Sequence, residues 1–185
     1  MGEQHKKHSR REHLNDFHLN VAGEYVYDGA LYACQNDDAK QRRSKRAVWG
    51  MAAILTVAVA AGGCIPAPGM QNCFYVLLPY LGEFLGAVSV IWALAKLGMD
   101  WGTVREYNYK KSVAVLPVRT AVTAVFSGLG IVCELIFFFV NDHAGQTFFA
   151  LLYVLLKLTA LLSALVLRAE IMQAEWDKLP KKDNS

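Results

Sequence analysis

Three charged side chains lie deep within long apolar runs of this sequence, and their chemistry needs explaining. Glu83, Glu134 and Lys157 interrupt the second, third and fourth of four such runs. A charge at the centre of a bilayer costs about 2.5–3.5 kcal/mol on insertion scales, so it is rare there and is paired or functional. Acids and a lysine at this depth can relay protons or ions or bind a polar substrate. They can also pair to specify how helices assemble, and the sequence leaves both readings open.

Glu83 and Lys157 are the natural pair because they share a depth. Each lies about ten residues, or roughly 15 Å of helix, from the outer end of its run, and both runs cross in the same direction. Glu134, in the outer third of its run, competes for the same lysine. Tyr80 and Tyr153 lie one turn farther out on the same faces. Their hydroxyls can donate hydrogen bonds to the pair or to a water beside it.

A polar stripe follows one face of the third run. Arg119, Thr123, Ser127, Gly130 and Glu134 recur at steps of four, four, three and four, which places them on one side of a helix. Polar and small residues in a membrane helix face other helices rather than lipid. Arg119, near the inner end, is expected to extend its guanidinium to lipid phosphates.

Small residues on these helices predict close helix packing. Membrane helices approach one another most closely at small side chains, and the second and fourth runs carry such residues on the faces of their charges. The residues assigned to helix packing are Gly82, Gly86, Ser89, Ala93, Ser127, Gly130, Ala160 and Ala164.

Cys64 and Cys73 flank a short turn that contains two prolines and a glycine. A redox centre would need C-x-x-C, and a zinc site would need further Cys or His ligands nearby. A structural disulfide is therefore the leading interpretation if the turn faces an oxidising compartment. Two free thiols are the alternative.

Sequence motifs of enzymes are missing from the apolar runs. They contain no His, and the chain has no H-E-x-x-H, no glycine-rich phosphate loop followed by Lys and no Ser in a nucleophile elbow. We therefore expect no enzymatic activity, no cofactor and no metal site.

The four runs set the fold class. About 20 apolar residues of helix cross the hydrocarbon layer, and the runs cover 47–63, 74–97, 113–140 and 146–168. Hydrophobic residues make up 54 % of the 185 residues, and the mean hydropathy is +0.23. The sequence predicts an all-α integral membrane protein, a four-helix transmembrane bundle.

The basic residues predict its orientation. Lys and Arg crowd into 40–46, 98–112 and the tail 169–185, whereas the turns 64–73 and 141–145 have none. The positive-inside rule then puts both termini in the cytoplasm, and we expect a plasma-membrane protein. The run 40–46 can anchor the first span or bind anionic lipid.

The N-terminal segment 1–46 is expected to be cytoplasmic and partly disordered, since its first nineteen residues are charged and histidine-rich. The histidine spacings put no tight ligand set on one helical face. Residues 21–34 carry three tyrosines, which suit a headgroup interface. A short interfacial helix is possible there, as is a docking segment for a cytosolic partner.

These features favour a small non-enzymatic membrane subunit or accessory of a larger complex, or a self-associating bundle. Its partners would be the lipid bilayer and either further copies of itself or another integral membrane protein, with no nucleic acid. The alternative is a small ion- or proton-coupled transporter or channel that uses Glu83, Glu134 and Lys157.

Overall fold

A computed structural model describes residues 17–19, 23, 25–27, 29–98, 101–141 and 147–179. The chain is an all-α bundle of four long helices with two small sheets. The helices are α1 (Asp38–Cys64), α2 (Pro68–Asn72), α3 (Phe74–Leu97), α4 (Glu106–Lys111), α5 (Leu116–Val140) and α6 (Thr147–Met172). The strands are β1 (Phe17–Leu19), β2 (Tyr25–Tyr27), β3 (Leu31–Cys34), β4 (Thr103–Arg105) and β5 (Trp176–Lys178).

The four long helices, α1, α3, α5 and α6, are each long and apolar enough to cross a membrane. This confirms the predicted fold class. Two of them extend beyond the predicted spans: α1 begins at Asp38 and includes the basic run 40–46, and α6 continues to Met172. Lys, Arg and Gln are good helix formers, so the basic run extends the first helix instead of preceding it.

Helix α6 packs along both α1 and α5, and α5 packs along α3. A smaller contact between α1 and α3 completes the bundle. Small side chains fill the middle of the core, with Ala58, Ala160 and Ala164 buried together. A side chain at Gly86 would press against Thr123, and one at Gly82 against Phe126. The predicted small faces are therefore used within one chain.

A three-stranded antiparallel sheet closes one end of the bundle, which we call the sheet end. Strand β3 lies between β4 and β5, so that Tyr32 is paired with Val104 on one side and Lys178 on the other. The three strands precede α1, follow α3 and follow α6. The chain segments before the first span, between the second and third spans, and after the fourth therefore all meet at this end.

The sheet overturns the interfacial helix proposed for 21–34. The described residues of that segment form β2 and β3, and β2 pairs with β1 in a separate antiparallel ladder. The backbone of β3 hydrogen-bonds to two neighbouring strands, an arrangement that no helix on the membrane surface could make. Tyr32 stacks on Tyr109 with ring centroids 4.2 Å apart, which adds side-chain packing to the backbone pairing.

The disulfide prediction is wrong for this structure, since Cys64 and Cys73 are both free. The opposite end of the bundle, which we call the turn end, is closed here by α2. The amide of Cys73 donates to the carbonyl of Gly69, and Pro68 and Gly69 are buried. The turn thus has a hydrogen-bonded structure of its own, and its spacing alone did not reveal it.

Two further expectations concern residues outside the described ranges. The histidine-rich segment up to residue 16 is one, and most of the turn between α5 and α6, residues 142–146, is the other.

Candidate functional site: a buried charge cluster

Glu83 and Lys157 meet inside the bundle as an ion pair between α3 and α6. Glu83 is fully buried and Lys157 is 2 % exposed. The ammonium binds one carboxylate oxygen, Oε2. The other, Oε1, accepts a hydrogen bond of 2.6 Å from the Ser127 hydroxyl on α5. Both oxygens of Glu83 therefore have partners, and three helices share the contact.

Two tyrosine rings enclose the ammonium. The Lys157 Nζ lies 4.5 Å from the ring centroid of Tyr80 and 5.0 Å from that of Tyr153, within the range of cation–π attraction. The expected hydroxyl contacts with the pair are absent. The Tyr80 hydroxyl donates instead to the carbonyl of Val59 on α1 at 3.5 Å, and the buried Tyr153 hydroxyl has no partner among the described residues. The two tyrosines therefore stabilise the ammonium through the faces of their rings and not through their hydroxyls.

One glycine, Gly63, makes room for this arrangement, whereas a side chain at Gly130 would reach only ordinary van der Waals contact. A side chain at Gly63 of α1 would overlap the Tyr80 hydroxyl. A Cβ at Gly130 of α5 would lie 3.6 Å from the Lys157 Cε. With Tyr80 reaching α1 and Ser127 donating from α5, all four long helices contribute to the surroundings of one ion pair.

Glu134 has a different environment, although it too is fully buried. Its Oε1 accepts a long hydrogen bond of 3.4 Å from the amide of Gly69, and its Oε2 has no partner among the described residues. A side chain at Gly69 would overlap this second oxygen. Glu134 also lines a cavity of about 120 Å³ between α5 and α6. It does not displace Glu83 as the partner of Lys157.

Arg119 forms a contact within the protein. Its Nη1 donates to the carbonyl of Ser89 on α3 at 2.6 Å, so the guanidinium bridges α5 and α3. Contact of the remaining guanidinium donors with lipid phosphate stays a prediction.

The residues predicted to serve helix packing differ in their solvent exposure. Gly86, Ala93, Ser127, Gly130, Ala160 and Ala164 are buried, and Gly82 and Ser89 are half-buried.

Sequence reasoning missed three polar contacts. Ser127 was assigned to packing, and its role as a donor to Glu83 could have been found by comparing depths along α3 and α5. Gly69 carried no signal, because it acts through a backbone amide. At the sheet end, the Ser44 hydroxyl donates to the Glu170 Oε2 at 3.0 Å. That contact joins the N-terminal segment to the C-terminal tail, and nothing in the sequence predicts that these two segments meet.

The cluster consists of one buried ion pair and one further buried carboxyl. Within the described residues, no three His, Cys, Asp or Glu side chains are placed to hold a metal ion. The ion pair joins α3 to α6, and the Ser127 hydroxyl connects it to α5.

No protein-family model, curated protein or solved structure matches this chain. Its function is therefore inferred from the site and the fold.

Proposed function

We propose that this chain is a non-enzymatic subunit or accessory of a membrane complex, held in the plasma membrane by four spanning helices. The observation that supports this role is that the Glu83–Lys157 pair is bonded within the chain and shielded from solvent. Both side chains are buried and hydrogen-bonded within the chain. A pair in this state links α3, α5 and α6, with both Glu83 oxygens already hydrogen-bonded to groups of the chain.

The outside of the bundle supports a role in lipid and protein contact. Large apolar side chains are exposed along all four long helices, among them Val57, Leu85, Val125 and Leu162. Such surfaces suit acyl chains or the helices of another integral membrane protein. Because the predicted small faces pack inside the chain, self-association would have to use these outer surfaces.

The sheet end is proposed to face the cytoplasm. The sheet joins three chain segments at one end, and basic residues concentrate in and around those segments. Thr103 lies in β4 and therefore at the sheet end. If that end faces the cytoplasm, an impermeant thiol reagent added to intact cells should leave Thr103→Cys unmodified. The exposed native Cys64 at the turn end should react and serves as the control. Modification of Thr103→Cys with no reaction at Cys64 would invert the orientation.

The subunit role is tested by purification and flux together. The chain, extracted from its native membrane in mild detergent, should carry a partner at fixed stoichiometry, and proteoliposomes of the purified chain should show no proton or cation flux. Flux that Glu83→Gln abolishes, without a stoichiometric partner, would replace the proposal with the transporter.

An ion- or proton-coupled transporter is the second candidate, and one observation favours it. Glu134 is buried, one of its oxygens has no partner among the described residues, and it lines a cavity. A transport path uses groups of this kind. In that case Glu134→Gln should stop flux, whereas the similarly neutralised Glu170→Gln at the sheet end should leave it unchanged.

A further inference from the structure

Among the residues that the structure describes, the buried charged side chains of the bundle are two acids and one base. Glu83 and Glu134 are fully buried and Lys157 is 2 % exposed, so ionised side chains would leave one uncompensated negative charge. Lys157 contacts Glu83, and the excess charge therefore falls on Glu134. A buried, unpaired carboxylate is strongly unfavourable in apolar surroundings. A cation must accompany Glu134 in the folded chain.

The surroundings of Glu134 suit a proton rather than a metal cation. Hard metal ions take about six or more oxygen ligands, and the cavity beside Glu134 is lined mainly by apolar side chains. Its other lining residues are Leu135, Phe138, Thr147, Ala150, Leu151 and Val154. The amide of Gly69 donates to Oε1, which leaves Oε2 as the oxygen able to carry a proton.

We infer that Glu134 is a proton-binding site near the turn end of the bundle, occupied on Oε2 in the folded state. The contact with Gly69 places the carboxyl directly beneath α2, the short helix that closes this end. This inference goes beyond the proposed subunit role and does not depend on it.

Other titratable groups face this carboxyl from the helices that pack against it. They are Tyr75 on α3 and Tyr153 and Lys157 on α6. Tyr75 in turn lies near Cys73 and Cys133, and Tyr153 lies near Tyr80, Glu83 and Cys133. Of the two buried acids, Glu83 is the one that bonds to the Lys157 ammonium. Of the two, Glu134 is the one that holds its proton.

Carbodiimide labelling tests the inference directly. A lipid-soluble carbodiimide reacts with protonated carboxyls, so the chain in liposomes should gain an adduct on Glu134 and none on Glu83, read by mass spectrometry. Labelling should fall about tenfold for each pH unit above the point at which the carboxyl loses its proton. Sodium chloride at fixed pH and fixed ionic strength, exchanged against choline chloride, should not change it.

Infrared spectroscopy supplies a measurement that does not depend on reagent access. The difference spectrum of the wild type minus Glu134→Gln should show the carbonyl band of a protonated carboxyl. The spectrum of the wild type minus Glu170→Gln, which changes a carboxyl at the sheet end, is the matched control. Lys157→Met, which removes the partner of Glu83, should add a second protonated carboxyl and a carbodiimide adduct on Glu83.

Three results would overturn the inference. The first is a folded wild type without the Glu134 carboxyl band at acidic or neutral pH. The second is an adduct on Glu83 in place of Glu134. The third is protection of Glu134 by sodium at constant pH, which would make it a metal-cation site.

Discussion

The centre of the bundle and its sheet end are held together by different forces. At the centre, a buried ion pair and the hydroxyl of Ser127 join three helices through short, directional contacts. At the sheet end, three short strands pair through their backbones, and aromatic rings such as those of Trp101 and Trp176, 6.2 Å apart, cover them. Removing one partner at the centre leaves the other group buried without its counter-charge, so that it must change its protonation state to become neutral. Removing one ring at the sheet end leaves the backbone hydrogen bonds of the strands in place.

The largest expected effect is therefore at the ion pair. Lys157→Met should lower the free energy of unfolding by about 3–5 kcal/mol, because it leaves Glu83 buried and unpaired. Glu83→Gln should cost a similar amount. The double variant should be more stable than either single variant. The measurements are the yield and the melting temperature of folded protein in detergent.

The charge exchange Glu83→Lys with Lys157→Glu provides the control for that prediction. It keeps both charges in the same space and should recover much of the lost stability. Single effects that simply add in the double variant, with no recovery in the exchange, would mean that the pair contributes nothing specific.

Ser127→Ala should have the next largest effect. It deletes the hydrogen bond to the Glu83 carboxylate, and hydrogen bonds to charged groups are worth about 1.5–3 kcal/mol. The matched control is Thr159→Ala, whose hydroxyl bonds only to the Leu155 carbonyl of its own helix on an exposed face. Equal melting temperatures for the two variants would remove Ser127 from the cluster.

Gly86→Ala measures how closely α3 and α5 approach. Its new methyl group would press on the side chain and backbone of Thr123, and overpacking of this kind costs about 1–3 kcal/mol. Gly128→Ala is the control, since no atom lies within 4 Å of its added Cβ. A loss of stability in the control as large as that in Gly86→Ala would show that the cost is not one of helix contact.

The smallest effect is expected at the sheet end. Tyr32→Ala removes a stacked ring pair worth about 0.5–1.5 kcal/mol beyond its buried area, while the backbone bonds of β3 remain. Tyr25→Ala is the control because Tyr25 is 75 % exposed. If Tyr32→Ala lowers the melting temperature as far as Lys157→Met does, the centre of the bundle and the sheet end do not differ in how strongly one side chain stabilises them.

The sequence predicted the centre of the bundle better than its ends, for a physical reason. Glu83 and Lys157 stand out against apolar neighbours, and counting 1.5 Å per residue matches their depths. The same count did not specify that the ring faces of Tyr80 and Tyr153 would cover the ammonium, because rotamers depend on packing from other helices. The sequence also could not predict which Glu134 oxygen has a partner, since the donor is the backbone amide of Gly69.

The sheet escaped prediction because its strands are short and far apart along the chain. Strand β3 has four residues and β5 has three, and their partners Ala33 and Asp177 are separated by the whole bundle. Period-two alternation needs a longer stretch to be recognised. The error at Cys64 and Cys73 has a similar origin, because their spacing does not report the small helix folded between them.

The arrangement of the sheet also sets an order for biosynthesis. Strand β3 is synthesised before any of the four spans, whereas its neighbour β5 is synthesised after all four. Until β5 has been made, β3 can pair only with β4, and one of its edges stays open to other chains. The sheet can therefore be completed only after all four spans have been made. A chain truncated before Trp176 would retain all four spans but keep an unpaired strand edge, which quality-control proteases and chaperones recognise in incomplete proteins.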